Sequence, residues 1–379
     1  MEIRWIKTSA TLIGGTVGAG ILGIPYVFAK AGFLTGLACI GLTLIMITLL
    51  NLFIGEIALR TNGERHQLTA YAERFLGKNA KHIVMGSTLF MIYGAMLAYI
   101  IKSGELLSML LGGNSFNYSV IFFSIIAFLI YLGPKRIRDL KVGMVVLSII
   151  FIFIIFFFAI PRIRVENLLT FQPEMLFLPY GVVLFAMIGM HLVPEVRKEL
   201  AGNERDIKKA IILGSITPAL LYVIFAVSVV GISGLNTSEA SIQSIWFYFG
   251  DQVGRFAAAF AVLVMATAFL SLGIALRDIY VYDYNKDSLF AWFATCFVPI
   301  LFFLFVKNFI AVLSITGAVA GGIISTTLIL VYIMARKKSE REPEYSIKIN
   351  KAWLALLIFL FTLGTAYEIA LEFGILNIH

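Results

Sequence analysis

Charged residues are scarce in this sequence. Only 14% of its 379 residues are charged, 60% are hydrophobic, and the mean hydropathy is +0.93. Soluble globular domains carry about 25% charged residues, and a domain of this size could not bury so much apolar surface in one core. The composition therefore excludes a soluble protein and predicts that lipid surrounds most of the chain.

Cysteine and histidine are also rare. The two cysteines, Cys39 and Cys296, lie in apolar stretches, so neither a disulfide framework nor a cysteine metal site is predicted. There is no HExxH or repeated acidic motif, and only four histidines occur, at His66, His82, His191 and His379. These absences argue against a membrane-embedded enzyme, a resident metal and an organic cofactor.

Long apolar runs fill the sequence instead. A helix needs roughly 20 apolar residues to cross the hydrocarbon core, and eleven runs are close to that length: 8–31, 35–59, 82–111, 118–133, 141–160, 174–194, 209–232, 253–276, 289–306, 309–334 and 352–374. They are continuous rather than alternating, which excludes a β-barrel. The first run meets no small-residue cleavage site, so we expect it to be retained. We predict one all-α integral membrane domain over 1–379 with eleven transmembrane helices.

The basic residues are distributed unevenly between the predicted loops. Lys and Arg cluster at 4–7, 60–81, 135–141, 197–209, 277–286 and 336–351, whereas the intervening loops near Asn114 and Asn236 carry none. Cytoplasmic loops are enriched in Lys and Arg. We therefore predict a multi-pass plasma-membrane protein with a cytoplasmic N-terminus and an extracellular C-terminus. The net charge of +8 then reflects orientation in the lipid bilayer, and neither nucleic acid nor an obligate protein partner is indicated.

Glycine crowds the middle of the first run, IGGTVGAGILGIPYVFAKAGF at 13–33. A Gly14/Gly18 pair could simply allow close helix packing. However, Gly20 precedes Pro25 at the same spacing as Gly189 precedes Pro194, five spans later. An offset of five helices inverts the second copy, and paired Gly/Pro interruptions are typical of inverted-repeat transporters with a midplane site. We predict repeats at 8–160 and 174–334, an extra helix at 352–374, and breaks in helices 1 and 6.

Such breaks have a chemical consequence. The N–H groups at the start of a second half-helix favour an anion such as a carboxylate. The carbonyls freed on the other side of a break lack partners in hydrocarbon and favour a cation or an ammonium group. A zwitterionic amino acid meets both requirements.

Three segments carry a family resemblance. GTVGAGILGIP in the first helix, GMHLVP in the sixth and FLSLGIALRD in the eighth resemble motifs of the amino acid, polyamine and organocation transporter superfamily. Within it the sequence is similar to the amino acid/auxin permease branch and its bacterial hydroxy and aromatic amino acid permease relatives. The resemblance covers nearly the whole chain. It implies a leucine-transporter-type fold of five plus five inverted helices and transport by alternating access.

The resemblance also implies site residues. The substrate carboxylate would meet Gly18, Ala19 and Gly20, the amino end would meet Phe185, Ala186 and Gly189, and Thr16 would line the pocket. A sodium ion would bind Gly14, Val17, Thr267 and Ser271. The sequence departs from the sodium-coupled pattern here, because its two helix 8 hydroxyls are four residues apart rather than adjacent. One helical turn still places both on one face, so sodium and protons both remain candidate coupling ions.

Ionisable residues within spans are costly and often functional. His191 is a candidate for substrate contact or proton response, with a packing role as the alternative. Glu56 is better explained by an ion pair with Arg60, and Lys102 and Glu105 can neutralise each other. Three tyrosines are pocket candidates, although aromatic residues more often serve packing: Tyr93, Tyr99 and Tyr222.

The expected function is a secondary transporter of neutral, apolar or aromatic amino acids, coupled to a sodium or proton gradient. A pocket framed by Gly and Ala of helix 1 and by Phe185 and Ala186 offers no fixed charge to a substrate side chain. An amino acid exchanger and a nutrient-sensing receptor are alternatives on the same fold. A channel is disfavoured by the repeat, which predicts a single midplane site.

Overall fold

The computed structural model describes residues 3–63, 67–132, 138–372 and 374–375. The backbone alone is described for Ile3, Ala19, 138–142, 144–145 and 282–283. His66, His379 and the basic residues Arg65, Lys135 and Arg136 lie outside the described ranges. The helices are α1 Ile3–Thr16, α2 Ile24–Ala31, α3 Phe33–Arg60, α4 Leu68–Leu76, α5 Lys78–Leu111, α6 Ser115–Leu132, α7 Arg138–Ala159, α8 Val165–Leu168, α9 Tyr180–Met187, α10 Val193–Glu199, α11 Ile207–Ser233, α12 Ile242–Phe249, α13 Asp251–Asp278, α14 Ser288–Phe303, α15 Phe309–Ile315, α16 Gly322–Lys337 and α17 Lys351–Glu372.

The described residues form helices and connecting turns, without a β-strand. Within them, eight helical stretches are long and apolar enough to cross a membrane, and a bent pair, Arg4–Thr16 with Gly20–Ala31, brings the number to nine. Two shorter apolar helices cover Val146–Arg162 and Ser288–Phe303. Each of the eleven predicted spans overlaps a helix, so the all-helical membrane class is confirmed, while the number eleven stays a prediction.

The first apolar run is interrupted where its glycines predicted a break. Helix α1 ends at Thr16, Gly18 is extended with φ −128° and ψ −160°, and a 3₁₀ turn covers Ala19–Leu22. Helix α2 then begins at Ile24 with Pro25 in its first turn, where a missing N–H costs nothing. The two halves meet at an angle of 62°.

The sixth apolar run is also interrupted, although Tyr180–Glu199 continues as one helical stretch long enough to cross a membrane. Helix α9 ends at Met187, Ile188 is extended, and a 3₁₀ turn covers Met190–Leu192. Helix α10 begins at Val193 with Pro194 in its first turn. The spacing of glycine and proline in the sequence therefore predicted the positions of both breaks.

The two breaks pack directly against each other. A methyl group at Gly20 would come within 2.9 Å of the Ala186 Cα, and one at Gly189 would come within 2.3 Å of the Thr16 Oγ1. Each break glycine therefore touches the half-helix that precedes the other break. A side chain at position 20 would force the two backbones apart, and one at position 189 would displace the Thr16 side chain.

A π-helical segment at Thr316–Gly321 also packs against α9. A methyl group at Gly317 would lie 2.1 Å from the Gly181 carbonyl oxygen and 2.7 Å from the Phe185 N. Helix α17 also packs here, since Gly364 lies against the Tyr180 ring. Helix α9 is thus held between the first break, the π segment and the final helix.

An extended segment, residues 338–350, links α16 to α17, and we call it the strap. Its anchor is Glu56, a fully buried carboxylate that accepts hydrogen bonds from Arg60, Tyr332, Ser346 and the Ile347 N–H. The predicted Glu56–Arg60 ion pair is confirmed at 2.8 Å. The neighbours on the strap were not predicted, because they are about 290 residues away in sequence.

The phenol of Tyr345 and the carboxylate of Glu340 also fix the strap. Tyr345 donates to the Leu52 carbonyl oxygen at 2.8 Å, and burial raises the pKa of the phenol, which keeps it a neutral donor. Glu340 pairs with Arg74 of α4. The apolar face of α4 is buried against α5 and α16.

Candidate functional site

Tyr222 of α11 joins the two helix breaks. Its hydroxyl lies 2.8 Å from the Thr16 carbonyl oxygen before the first break and 2.8 Å from the Ala186 carbonyl oxygen before the second. The side chain is fully buried. A phenol has one proton to donate, so the two carbonyls share a single donor. The sequence named Tyr222 only as a pocket candidate, because nothing in its spacing showed what it would bind.

Ser241 also donates a hydrogen bond to a backbone carbonyl, at the other end of the first break. Its buried hydroxyl donates to the Leu22 carbonyl oxygen at 2.7 Å. The Ser241 backbone is left-handed, with φ 65°, a conformation that L-residues with side chains rarely adopt. Sequence reasoning missed this residue, which lies in a connecting loop, 219 positions from Leu22.

These contacts weaken the expectation that a cation is needed at the breaks. The sequence led us to expect that freed carbonyls would need a positive partner. In the structure, hydroxyl donors reach the carbonyls of Thr16, Leu22 and Ala186. Protein side chains thus supply part of the hydrogen bonding that hydrocarbon cannot provide.

A small cavity opens beside Gly18. Its described wall consists of Val17, Gly18, Ile21, Leu22, Ser148, Phe151, Ile152, Phe225, Phe260, Ala261 and Val264. The space holds about one water molecule. The Phe151 and Phe260 rings are stacked with centroids 4.2 Å apart. An amino acid side chain could enter only if these walls separated.

Gly18 differs from Gly20 in the room around it. The nearest atom to a methyl group at Gly18 would be the Tyr99 hydroxyl oxygen, at 3.9 Å. Position 18 therefore faces open space between the cavity and Tyr99, whereas Gly20 is packed against α9. Gly18 is half-buried and lines the cavity, whereas Gly20 does not.

The other predicted substrate residues are close to the breaks without lining the cavity described above. The Thr16 hydroxyl donates to the Leu12 carbonyl oxygen within α1 at 2.8 Å. Phe185 is half-buried, with its ring beside Gly20. His191 is half-buried in the 3₁₀ turn that follows the second break. The predicted residues thus converge at the breaks, but the aromatic wall contributed by α7, α11 and α13 was not predicted.

The predicted sodium ligands occupy two separate elements. Gly14 lies in α1, and Val17 lines the cavity beside Val264 of α13. The Thr267 hydroxyl donates to the Val264 carbonyl oxygen of its own helix at 2.9 Å, and Ser271 lies one turn further on. Across the part of the chain that the structure describes, no group of three His, Cys, Asp or Glu side chains could hold a metal ion.

Charged groups lie on both sides of the breaks. Lys102 of α5 is 1% exposed and pairs with Glu105 at 2.5 Å, as predicted, and with Glu239 at 3.6 Å. Glu239 belongs to the loop that carries Ser241. On the opposite side, Thr11 of α1 donates to Glu199 of α10 at 3.0 Å. The Thr11–Glu199 hydrogen bond therefore connects the first and sixth helices on one side of the breaks. The Lys102–Glu239 contact lies on the other side.

A family profile described as the tryptophan/tyrosine permease family matches residues 3–368. Similar curated proteins include "Tyrosine-specific transport system 2" of Haemophilus influenzae, 24% identical over 82% of this chain and 82% of that protein. "Glutamine transporter 2" of Aliivibrio fischeri is 23% identical over 93% and 94%. "Low affinity tryptophan permease" of Proteus vulgaris is 22% identical over 89% and 87%.

The fold is similar to that of a solved transporter. A mutant of a manganese transporter from Eremococcus coleocola superposes with a TM-score of 0.69 over 97% of this chain and 87% of that one, at 14% identity. At this identity the likeness shows a shared fold.

The Tyr222 bridge yields a first test. Tyr222→Phe removes the hydroxyl that two buried carbonyls share, and an unsatisfied buried polar group costs about 1–3 kcal/mol. We expect a lower unfolding temperature of the purified protein in detergent. Tyr131→Phe is the control, because Tyr131 is 53% exposed on α6. Equal unfolding temperatures for the two variants would contradict the structural role of the bridge.

Proposed function

Because the chain belongs to the tryptophan/tyrosine permease family, we propose that it is a secondary transporter of neutral amino acids with apolar or aromatic side chains. The family consists of permeases, so the chain is a membrane transport protein rather than an enzyme. The observation that carries the proposal is the pair of mutually packed helix breaks beside an apolar cavity.

Helix packing supports a five-plus-five inverted repeat within eleven spans. In such a repeat, spans 1–5 correspond to spans 6–10, so that α1, α3, α5 and α7 correspond to α9, α11, α13 and α16. If two helices of one repeat are in contact with helices of the other, the corresponding helices should be in contact as well. Accordingly, α3 packs against its counterpart α11, and α5 against its counterpart α13. The contact of α1 with α11 is mirrored by α9 with α3, and that of α7 with α11 by α16 with α3. Such symmetry is typical of transporters that rock one bundle around a central site.

The cavity wall supports an apolar or aromatic substrate side chain. Three phenylalanines, Phe151, Phe225 and Phe260, surround the space beside Gly18, and no charged side chain belongs to the described wall. Aromatic pairs gain about 0.5–1.5 kcal/mol beyond simple burial. The substrates named for the relatives, tyrosine, tryptophan and glutamine, are all neutral.

The size of the cavity supports alternating access. A site that holds about one water cannot take up an amino acid without rearrangement. The Thr11–Glu199 contact closes one side, and the Lys102–Glu239 contact crosses the other. We infer that this conformation is closed on both sides, and that breaking one contact at a time opens the site to one compartment.

A competition panel tests the substrate class. Purified protein in proteoliposomes should take up radiolabelled tryptophan or tyrosine, and unlabelled aromatic amino acids should compete better than glutamine, while lysine and glutamate should not compete. The reason is that burying an unpaired side-chain charge against this wall is costly. Best competition by lysine or glutamate would refute the proposed pocket. If glutamine competed best, the substrate side chain would bind elsewhere than against the aromatic wall of the cavity.

The same assay separates transport from sensing. A receptor on this fold would bind the panel substrates without uptake, and an exchanger would take up label only when the vesicles contain unlabelled substrate. We expect uptake into empty vesicles that rises when an ion gradient is imposed.

Gly18 and Gly20 form a matched pair for the carboxylate site. Gly18→Ala adds a methyl group into open space, so we expect weaker substrate binding with an unchanged unfolding temperature. Gly20→Ala places a methyl group 2.9 Å from the Ala186 Cα, so we expect a loss of stability of about 1–3 kcal/mol. Scintillation proximity binding and thermal unfolding measure the two effects. Unaltered binding by Gly18→Ala would remove position 18 from the site.

We further propose that protons, rather than sodium, drive uptake. Hydroxyl donors already reach the carbonyls of Thr16, Ala186 and Leu22, and the Thr267 hydroxyl donates within its own helix. An inward pH gradient should therefore stimulate uptake, and Thr267→Val and Ser271→Ala should leave the stimulation intact. Stimulation by sodium that these two variants abolish would instead establish the cation site at Gly14, Val17, Thr267 and Ser271. His191→Gln tests whether this histidine carries the proton.

A further inference from the structure

The final helix, α17, buries a carboxyl group that the site described above does not use. Glu368 is 1% exposed. It shares a face of α17 with Gly364, which lies against the Tyr180 ring of α9, and with Thr365. The Thr365 hydroxyl donates to the Ala318 carbonyl oxygen of the π segment at 2.7 Å. Glu368 therefore lies behind α9, on the side facing away from the first break.

The surroundings of Glu368 contain no cation in the part of the chain that the structure describes. The groups that face it are Tyr180 of α9, the Ser314 hydroxyl of α15, and Tyr367 and Glu372 of α17 itself. Cys39 of α3 lies beyond Tyr180. None of these groups carries a positive charge, and Glu372 would oppose a second negative charge nearby.

The cluster is also short of hydrogen bonds. The Ser314 hydroxyl hydrogen-bonds the Glu368 carboxyl. Within the described residues, the Glu368 Oε2 has no hydrogen-bond partner, and the hydroxyl oxygens of Tyr180 and Tyr367 have none either. An ionised carboxylate in this position would be buried without a counter-ion, which costs far more than burying a neutral carboxyl. The neutral acid is consequently the form that this conformation accommodates.

We propose that Glu368 is a proton-binding site whose occupancy depends on the position of α9 against α17. The proposal rests on the proposed transport function, with the proton as driving ion, and names the side chain that carries it. In the observed conformation α9 covers the carboxyl. When α9 moves away from α17, water reaches the group, and a carboxyl in water ionises at neutral pH.

The same half-helix connects Glu368 to the helix breaks. Helix α9 begins at Tyr180, beside the carboxyl, and its Ala186 carbonyl oxygen receives the Tyr222 hydroxyl that also reaches Thr16. A displacement of α9 that exposes Glu368 therefore disturbs the contact between the two breaks. Protonation of Glu368 and the contact between the two breaks both favour the observed position of α9. The two are therefore energetically coupled.

The depth of Glu368 suits uptake of a proton from outside. It lies one helical turn before Glu372, the last residue of α17, and the predicted topology places that end at the extracellular face. A hydronium ion from the outer solution would give its proton to the carboxylate, leaving water and a neutral carboxyl. The proton would return to water when the carboxyl is next exposed, so no other reactant is required.

Glu368→Gln tests the proposal, because glutamine resembles the protonated carboxyl in shape and charge. We expect the variant to retain substrate counterflow, which needs no gradient, and to lose the stimulation of uptake by an inward pH gradient. Glu372→Gln is the matched control, since Glu372 is an exposed carboxylate one turn away. It should keep the stimulation. Stimulation of Glu368→Gln equal to that of the wild type would overturn the proposal.

A second measurement is independent of transport. Infrared spectra of the wild-type protein at neutral pH should contain the C=O stretch of a protonated carboxyl, and this band should disappear in Glu368→Gln and persist in Glu372→Gln. If Glu368→Gln fails to fold, Glu368→Asp should shift the band. A spectrum without the band at neutral pH would overturn the proton site. The band without uptake of any amino acid would keep the site and refute the proposed transport function.

Discussion

Hydrocarbon offers no hydrogen bond to the backbone groups that a broken helix exposes, and the arrangement of this protein follows from that constraint. The two breaks satisfy it by meeting each other. One phenol, that of Tyr222, reaches a carbonyl on each side, and Ser241 reaches a third. Protein hydroxyls therefore reach three of the carbonyls at the breaks, and the two half-helices share one of these donors.

Close approach of the backbones is the second requirement. A single hydroxyl can span both breaks only if α1 and α9 lie in direct contact, and Gly20 and Gly189 permit that contact. The π segment also approaches the α9 backbone closely, through Gly317. Helix α9 thus has small residues on both of its contact faces.

Two carboxyl groups that are buried among the described residues differ in their physical surroundings. Glu56 accepts several hydrogen bonds and pairs with Arg60, so it fixes the strap against α3 as a permanent structural contact. Glu368 is equally buried and meets no cation among the described residues. The difference lies in the neighbours rather than in depth, since a paired carboxylate is stable when buried and an unpaired one favours its proton.

The sequence by itself determined the membrane class, the positions of both helix breaks and the Glu56 and Lys102 ion pairs, because each depends on local composition or on spacing within one helix. We can recognise hydropathy, Gly/Pro spacing and i,i+3 or i,i+4 pairs in the sequence without knowing which helices are in contact. Tertiary structure alone decided the rest. Tyr222, Ser241, the aromatic wall at Phe151 and the isolation of Glu368 depend on residues far apart in sequence, and a hydroxyl or carboxyl acquires its role only from the partners that folding places beside it.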